Sequence, residues 1–255
     1  MTNTFLITIA LVTLLGACTE RDSRSDNTVA TPPTPVSIDD TPVEALSVGG
    51  IVNVSQQPGA ALFEPNSEAW RAAQEYSLDL SLAPPVHQSI NLRYDPATPP
   101  VSVKLRAGSD TENLYLRLRW TDTTQNTVTS REQFSDGVAI QFALASGPAT
   151  SYMMGTTATP VNIWYWKAGA DAPQNLAAGG FGSTTTLAQG KLSTRSLYRE
   201  GGEWVVVFSR PLNQAGEHQV DLNQDALSIA LALWQGDARQ RDGLKHVSQG
   251  WITLQ

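Results

Sequence analysis

The chain predicts an all-β fold, an antiparallel β-sandwich with short helical segments, and three observations carry that expectation. Short runs alternating polar and apolar residues recur from about residue 49 to the C-terminus. Gly, Asp and Pro punctuate them, and no helix-length amphipathic segment occurs between them. Without helical crossovers, successive strands have to pair antiparallel and pack as two layers. With 41% hydrophobic and 16% charged residues, the chain has ample material for a core.

Asn66 to Ala73 reads as one or two helical turns with Asn66 or Ser67 as cap. Tyr76 to Leu82 alternates as a strand. Val101 to Arg106 and Leu114 to Trp120 form the clearest hairpin, joined by a polar GSDTEN turn, with Leu114, Leu116 and Leu118 on one face. Further strands are expected at Gly137 to Leu144, Val161 to Trp166, Lys191 to Arg199, Glu203 to Arg210 and Leu227 to Trp234. No internal repeat is present, so residues 49–255 are read as one domain.

Ahead of that domain, Phe5 to Ala17 is an uncharged apolar run ending at Cys18. It falls short of the roughly 20 residues that span a bilayer but suits the core of an export signal. Leu15-Gly16-Ala17-Cys18 resembles the lipobox of bacterial lipoproteins, although no Lys or Arg precedes the apolar run. The expected organisation is a signal peptide at residues 1–17, then a lipidated Cys18 with a flexible, Pro- and Thr-rich tether at residues 18–48. A lipid anchor would place the protein on the periplasmic side of a bacterial membrane, the outer membrane foremost. The alternative is soluble periplasm.

The net charge of −7 argues against a nucleic-acid surface. Cys18 is the only cysteine, so the chain has neither a disulfide nor a CxxCH site for covalent haem. HExxH, HxH and GxSxG patterns are absent as well, which removes the familiar signals for zinc and for a serine hydrolase. Attention falls instead on Met153 and Met154, the only methionines besides the initiator, set before Gly155 between two strand-like runs. Lys245, near the C-terminus, is the second residue of interest.

Five segments, in order, resemble the haem b-binding gamma subunits of ethylbenzene dehydrogenase, dimethylsulfide dehydrogenase, selenate reductase and chlorate reductase. They are LYLRLRWTD from Leu114, FSDGVAIQF from Phe134, MGTTATPVNIWYWKA from Met154, GEWVVVFSRPL from Gly202 and ALWQGDARQRDGLKHVSQGW from Ala232. The resemblance implies a single non-covalent haem b held at one side of the sandwich, its iron ligated axially by a Met and a Lys. The Met before a Gly and a Pro-Val-x-Ile-Trp run selects Met154, with Met153 the close competitor. The Lys after Asp-Gly selects Lys245. A lysine must be neutral to donate its lone pair, which burial favours. His246 is the chemical rival, imidazole being the commoner haem ligand. Trp164, Trp166, Trp234 and Trp251 lie near these segments as core or as walls of a flat pocket. Arg119, Lys191 and Arg195 are candidate partners for the haem propionates, with nothing in the sequence to choose among them.

The function that the resemblance implies is electron transfer. The protein is expected to be a periplasmic b-type cytochrome, non-catalytic by itself, whose redox partners are a cytochrome c or iron–sulfur and molybdenum subunits. The lipobox sets the chain apart from gamma subunits exported without a tether, so a subunit of a molybdenum oxidoreductase and a stand-alone lipoprotein cytochrome both remain open. A non-haem carbohydrate-binding β-sandwich module, using Trp side chains as a sugar platform, is the alternative.

Overall fold

The computed structural model describes residues 38–58, 60–145, 150–214 and 216–255. The signal segment, Cys18 and the tether as far as residue 37 lie outside the described residues. Fifteen strands follow in chain order: β1 Val43–Ala45, β2 Ile51–Val52, β3 Val54–Gln56, β4 Glu75–Leu82, β5 Val101–Ser109, β6 Asn113–Thr121, β7 Gly137–Ala143, β8 Val161–Lys167, β9 Gln174–Ala178, β10 Thr185–Thr186, β11 Ser193–Arg199, β12 Glu203–Pro211, β13 Leu227–Trp234, β14 His246–Val247 and β15 Ile252–Leu254. One layer runs β4-β5-β6-β12-β11 and the other β10-β9-β8-β7-β13-β14, with β14 pairing β4 where they meet. Their ladders are antiparallel, as predicted. Only the short marginal pairs β1–β4, β3–β5 and β15–β2 are parallel.

The period of two decides which face each layer buries. Leu114, Leu116, Leu118 and Trp120 of β6 meet Val138, Ile140 and Phe142 of β7 and Ile229, Leu231 and Leu233 of β13 in one core cluster. Full burial of each such side chain contributes on the order of 1.5–3 kcal/mol. Trp204 packs 5.0 Å from Trp166 and 6.5 Å from Trp120, which binds the layers through aromatic contacts. The opposite phase of each strand then faces away from the core: Arg117 and Arg119 on the first layer, Ala139, Gln141, Ile163 and Tyr165 on the second.

That first outer face corrects the expected tether. Residues 38–48 belong to the fold: Ile38 is buried, β1 pairs β4, and Leu46 packs against the core. Asp39 is the reason, because its carboxylate meets Arg117 at 3.0 Å and Arg199 at 2.5 Å. The composition that reads as linker is thus held by ion pairs as well as by the apolar burial of Ile38 and Leu46. The helical reading near Asn66 becomes a 3₁₀ turn, Glu68–Ala72, whose cap is Ser67 accepting from the Ala69 N–H. Strands β1 to β3, β9, β10, β14 and β15 are too short, or too polar in alternation, to stand out in the sequence. Among the described residues no helix is long and apolar enough to cross a membrane.

Candidate functional site

The outer face of the second layer opens into a cavity of about 1230 Å³, larger than the roughly 300–1,000 Å³ of ordinary small-molecule pockets. Its floor is the outward phase of adjacent strands: Ala139 and Gln141 of β7, Ile163 and Tyr165 of β8, Ala230, Ala232 and Trp234 of β13. Ala139 pairs with Ala232 on one side and Tyr165 on the other. A patch floored by alanines leaves room for a flat guest. Gly137 adds to it, since a Cβ there would press on Tyr165 at 3.1 Å; its absence lets Tyr165 and Trp234 meet edge to face at 5.1 Å.

Met154 and Lys245 come together in this cavity from 91 residues apart, with Lys245 Nζ 3.8 Å from Met154 Sδ. Met154 ends the turn Ser151–Gly155, where the Gly155 N–H donates to Ser151 O at 2.9 Å and the Gly180 N–H donates to Met154 O at 2.9 Å. Its φ of 67° is left-handed, a conformation that side chains other than Gly adopt at a cost of about 1–3 kcal/mol and that gathers at functional sites. Gly155 packs this turn closely against backbone. Its bare Cα approaches Thr159 O, where a Cβ would stand at 2.7 Å, and not a guest in the cavity. Met153 also lines the cavity, so the two methionines share the site.

Lys245 enters β14 at its start, where the Ala83 N–H donates to Lys245 O at 2.8 Å. Its ammonium lies 5.0 Å over the Trp234 ring, a cation–π contact. Trp234 is itself held by Nε1–H donating to Asp242 O at 3.2 Å. Burial pushes the Lys245 amine down to about 8, against the opposing pull of Asp242. The amine is therefore far readier to shed its proton than a surface lysine. Burial, and then Asp242, likewise push the Tyr165 phenol up to about 12, so it stays neutral.

His246, one residue on, points away, as strand alternation requires. Its Nε2 is 3.2 Å from Pro99 O and its Nδ1 is 3.1 Å from Gln240 Nε2, and it does not line the cavity. Arg119 is committed to Glu75 and Glu203, each at 2.7 Å, on the other layer. Arg195 pairs with Glu64, and Lys191 lies outside the cavity lining. Trp164 and Trp166 are core residues, Trp234 is a cavity wall, and Trp251 donates to Thr150 O at 2.9 Å. None of the seven tryptophans is fully exposed, and of the seven only Trp234 lines the cavity. The alanine floor was missed in the sequence, although its signal is there. Ala139, Ala230 and Ala232 recur on the outward phase of strands that otherwise carry bulky residues.

Two donor side chains thus face one large cavity on the second layer of a β-sandwich. The chain belongs to the ethylbenzene dehydrogenase family of gamma subunits. The family model described as ethylbenzene dehydrogenase matches residues 67–193, which includes Met154 and stops short of Lys245. The dimethylsulfide dehydrogenase subunit gamma of Rhodovulum sulfidophilum is 44% identical over 195 residues, 74% of this chain and 73% of that protein. The chlorate reductase subunit gamma of Ideonella dechloratans is 34% identical over 206 residues, 80% and 84% of the two chains. A Haloferax mediterranei protein named as a candidate heme subunit of a respiratory nitrate reductase is 32% identical over 188 residues, 73% and 66%. Among solved structures, a family 9 carbohydrate-binding module from Caldicellulosiruptor kristjanssonii superposes with a TM-score of 0.46 at 13% identity, over 80% of this chain and 95% of that one.

Proposed function

We propose that the protein is a b-type cytochrome that relays electrons, holding one non-covalent haem b through Met154 and Lys245. The observation that carries this reading is the 3.8 Å approach of a thioether sulfur and a buried amine in a large cavity. The donor set fits the group. A thioether sulfur and a neutral amine each carry a lone pair that iron would accept, and Met154 and Lys245 bring the two to the same cavity. The name of the Haloferax relative supports haem, and the chain has no CxxCH to attach one covalently.

A haem supplies a one-electron couple at its iron. Met154 and Lys245 are the residues that would hold it, and with both committed to the iron the protein's part would be relay, not catalysis. The names of the relatives, gamma subunits of a dehydrogenase and a reductase, support a place beside partner subunits of a redox complex; the family resemblance of the sequence implies iron–sulfur and molybdenum centres in that partner and a cytochrome c as the other exchange partner. Cys18 following an apolar run supports export and a lipid anchor on the periplasmic side of a membrane. Cys18→Ser or globomycin should then leave uncleaved precursor, and normal processing of the mutant would remove the anchor from this reading.

The ligand test is spectroscopic. Purified protein should show a six-coordinate low-spin haem spectrum, and acidic organic solvent should extract the haem. Met154→Ala should open one axial position and lower the potential, because the thioether favours ferrous iron. Lys245→Ala should weaken haem retention. Met153→Ala and His246→Ala should leave the low-spin spectrum intact; loss of it in either, with Met154 or Lys245 dispensable, would overturn the assignment.

A further inference from the structure

The cavity is cationic in an acidic protein. Among the described residues six Lys and Arg line it (Arg93, Arg131, Lys167, Arg239, Arg241 and Lys245), against a single carboxylate, that of Asp242. Elsewhere five arginines are matched to carboxylates: Arg106, Arg117, Arg119 and Arg199 to Asp39, Glu75 and Glu203, and Arg195 to Glu64. At the cavity, among the described residues, Arg241 forms an ion pair with Asp242 at 3.7 Å, both well exposed, and the same carboxylate attracts Lys245.

The arginines come from three separate segments, two of which are tied down. Arg93 Nη1–H donates to Arg239 O at 3.3 Å, tying the segment after the Gln88–Asn91 helix to the β13–β14 loop. The Arg241 guanidinium sits 4.9 Å over the Phe134 ring. Arg239, like Met154 and Asp242, holds a left-handed backbone, φ 55°, and its N–H donates to Gly236 O at 3.0 Å. Positive charge converging from three segments, with left-handed backbone at Arg239 and Asp242 on one of them, suits an anionic ligand at this cavity.

We propose that Arg93, Arg131, Arg239 and Arg241 form a collar that binds two carboxylates of the guest, the propionates of a haem b. This rests on the haem reading above. Guanidinium forks suit carboxylates in bidentate geometry, which a lone ammonium does not reproduce. Arg239 and Arg241 share a loop with Lys245, so the same loop that supplies the amine also grips the anionic edge.

The test is titration of the full-chain apoprotein with iron protoporphyrin IX and with its dimethyl ester, in which both carboxylates are neutralised. Wild type should bind the diacid at least roughly tenfold more tightly than the ester. The Arg239→Gln/Arg241→Gln variant should lose that preference through weaker diacid binding, with ester binding kept as proof of an intact cavity. If this variant fails to bind the ester, Arg93→Gln/Arg131→Gln carries the same expectation. Lys191→Gln/Arg195→Gln should leave the preference untouched. Equal binding of diacid and ester by wild type, or a preference that survives both arginine variants, overturns the collar while the haem reading stands. Binding of neither porphyrin overturns the haem reading and the collar with it.

Discussion

The two outer faces of the sandwich both hold cations beside aromatic rings, yet they treat charge in opposite ways. On the first layer Arg106 and Arg117 are almost completely buried, and residues 38–48 with the 3₁₀ turns at Ala60–Phe63 and Glu68–Ala72 cover them. Arg106 donates to Trp70 O, Ile38 O and the Thr41 hydroxyl, and Arg117 to Pro65 O. Glu75 and Asp39 complete the set. Burial alone would push both carboxyls up, but the guanidiniums of Arg119 and Arg106 hold Glu75 below its ordinary value, and Arg117, Arg199 and Arg119 hold Asp39 down to about 2. On the second layer Lys245 has no such partner, and burial moves it toward neutrality. A buried cation with its counter-ions beside it closes a face, whereas one left without them, next to open space, makes a site.

The largest effect should come from breaking the closed face. Glu75→Gln leaves three guanidiniums facing a neutral amide, and removing one partner of a buried ion pair costs about 3–5 kcal/mol. Urea unfolding should show that loss. Because the folded pKa of Glu75 is depressed, its contribution is present above the unfolded carboxyl range and fades as pH falls through the folded value, so the deficit of the mutant should narrow in acid. A loss under about 1 kcal/mol at neutral pH would mean that the network is only solvated surface.

On the open face the sign should reverse. Lys245→Met removes an amine whose folded pKa is depressed from 10.5 to about 8. The folded apoprotein thus binds fewer protons than the unfolded chain between those values, and its stability should rise across that window. The substitution should abolish the rise and stabilise the apoprotein at pH 7 by about 1–3 kcal/mol, while haem retention falls. Destabilised apoprotein would show that Lys245 is structural. In the holoprotein, protons compete for the amine, so acid should release haem from wild type.

Those opposite signs also mark what the sequence could show. Leu114, Leu116 and Leu118 announced a buried face because apolar residues at period two have one explanation. Arg117 and Arg119, on the other phase of the same strand, look like solvated surface, and nothing local reveals that Asp39, 78 residues from Arg117, returns to neutralise them. The approach of Met154 and Lys245 in one cavity was implied by the family's motif and not by spacing. The collar was not, since Arg93, Arg131, Arg239 and Arg241 become neighbours only once three separate segments converge. Tertiary charge matching is long-range information, while strand periodicity is local.

The smallest effect belongs to the seam between the faces, where β6 ends and β7 begins. Asp136 accepts hydrogen bonds from the Asn126 N–H, the Gly236 N–H and Trp204 Nε1–H, each at 2.8–2.9 Å. Asp122 Oδ1 accepts from the Thr124 N–H at 3.1 Å and its hydroxyl at 3.2 Å, but Asp122 Oδ2 is buried without a hydrogen-bond partner. Burial and the nearby Asp136 push Asp122 up to about 6. A raised folded pKa means that the native state holds the proton: the contribution is full below the unfolded value of 3.8 and is lost as pH rises through about 6. Asp122→Asn, which keeps an oxygen acceptor for Thr124 and carries no charge, should stabilise the protein by about 2 kcal/mol at pH 8 and by almost nothing at pH 4. Thermal unfolding at the two pH values measures this, with a rise of roughly 4–8 °C expected at the higher one. An equal shift at both pH values would place the gain in packing, and a fall at pH 8 would show that the charge of Asp122 is used.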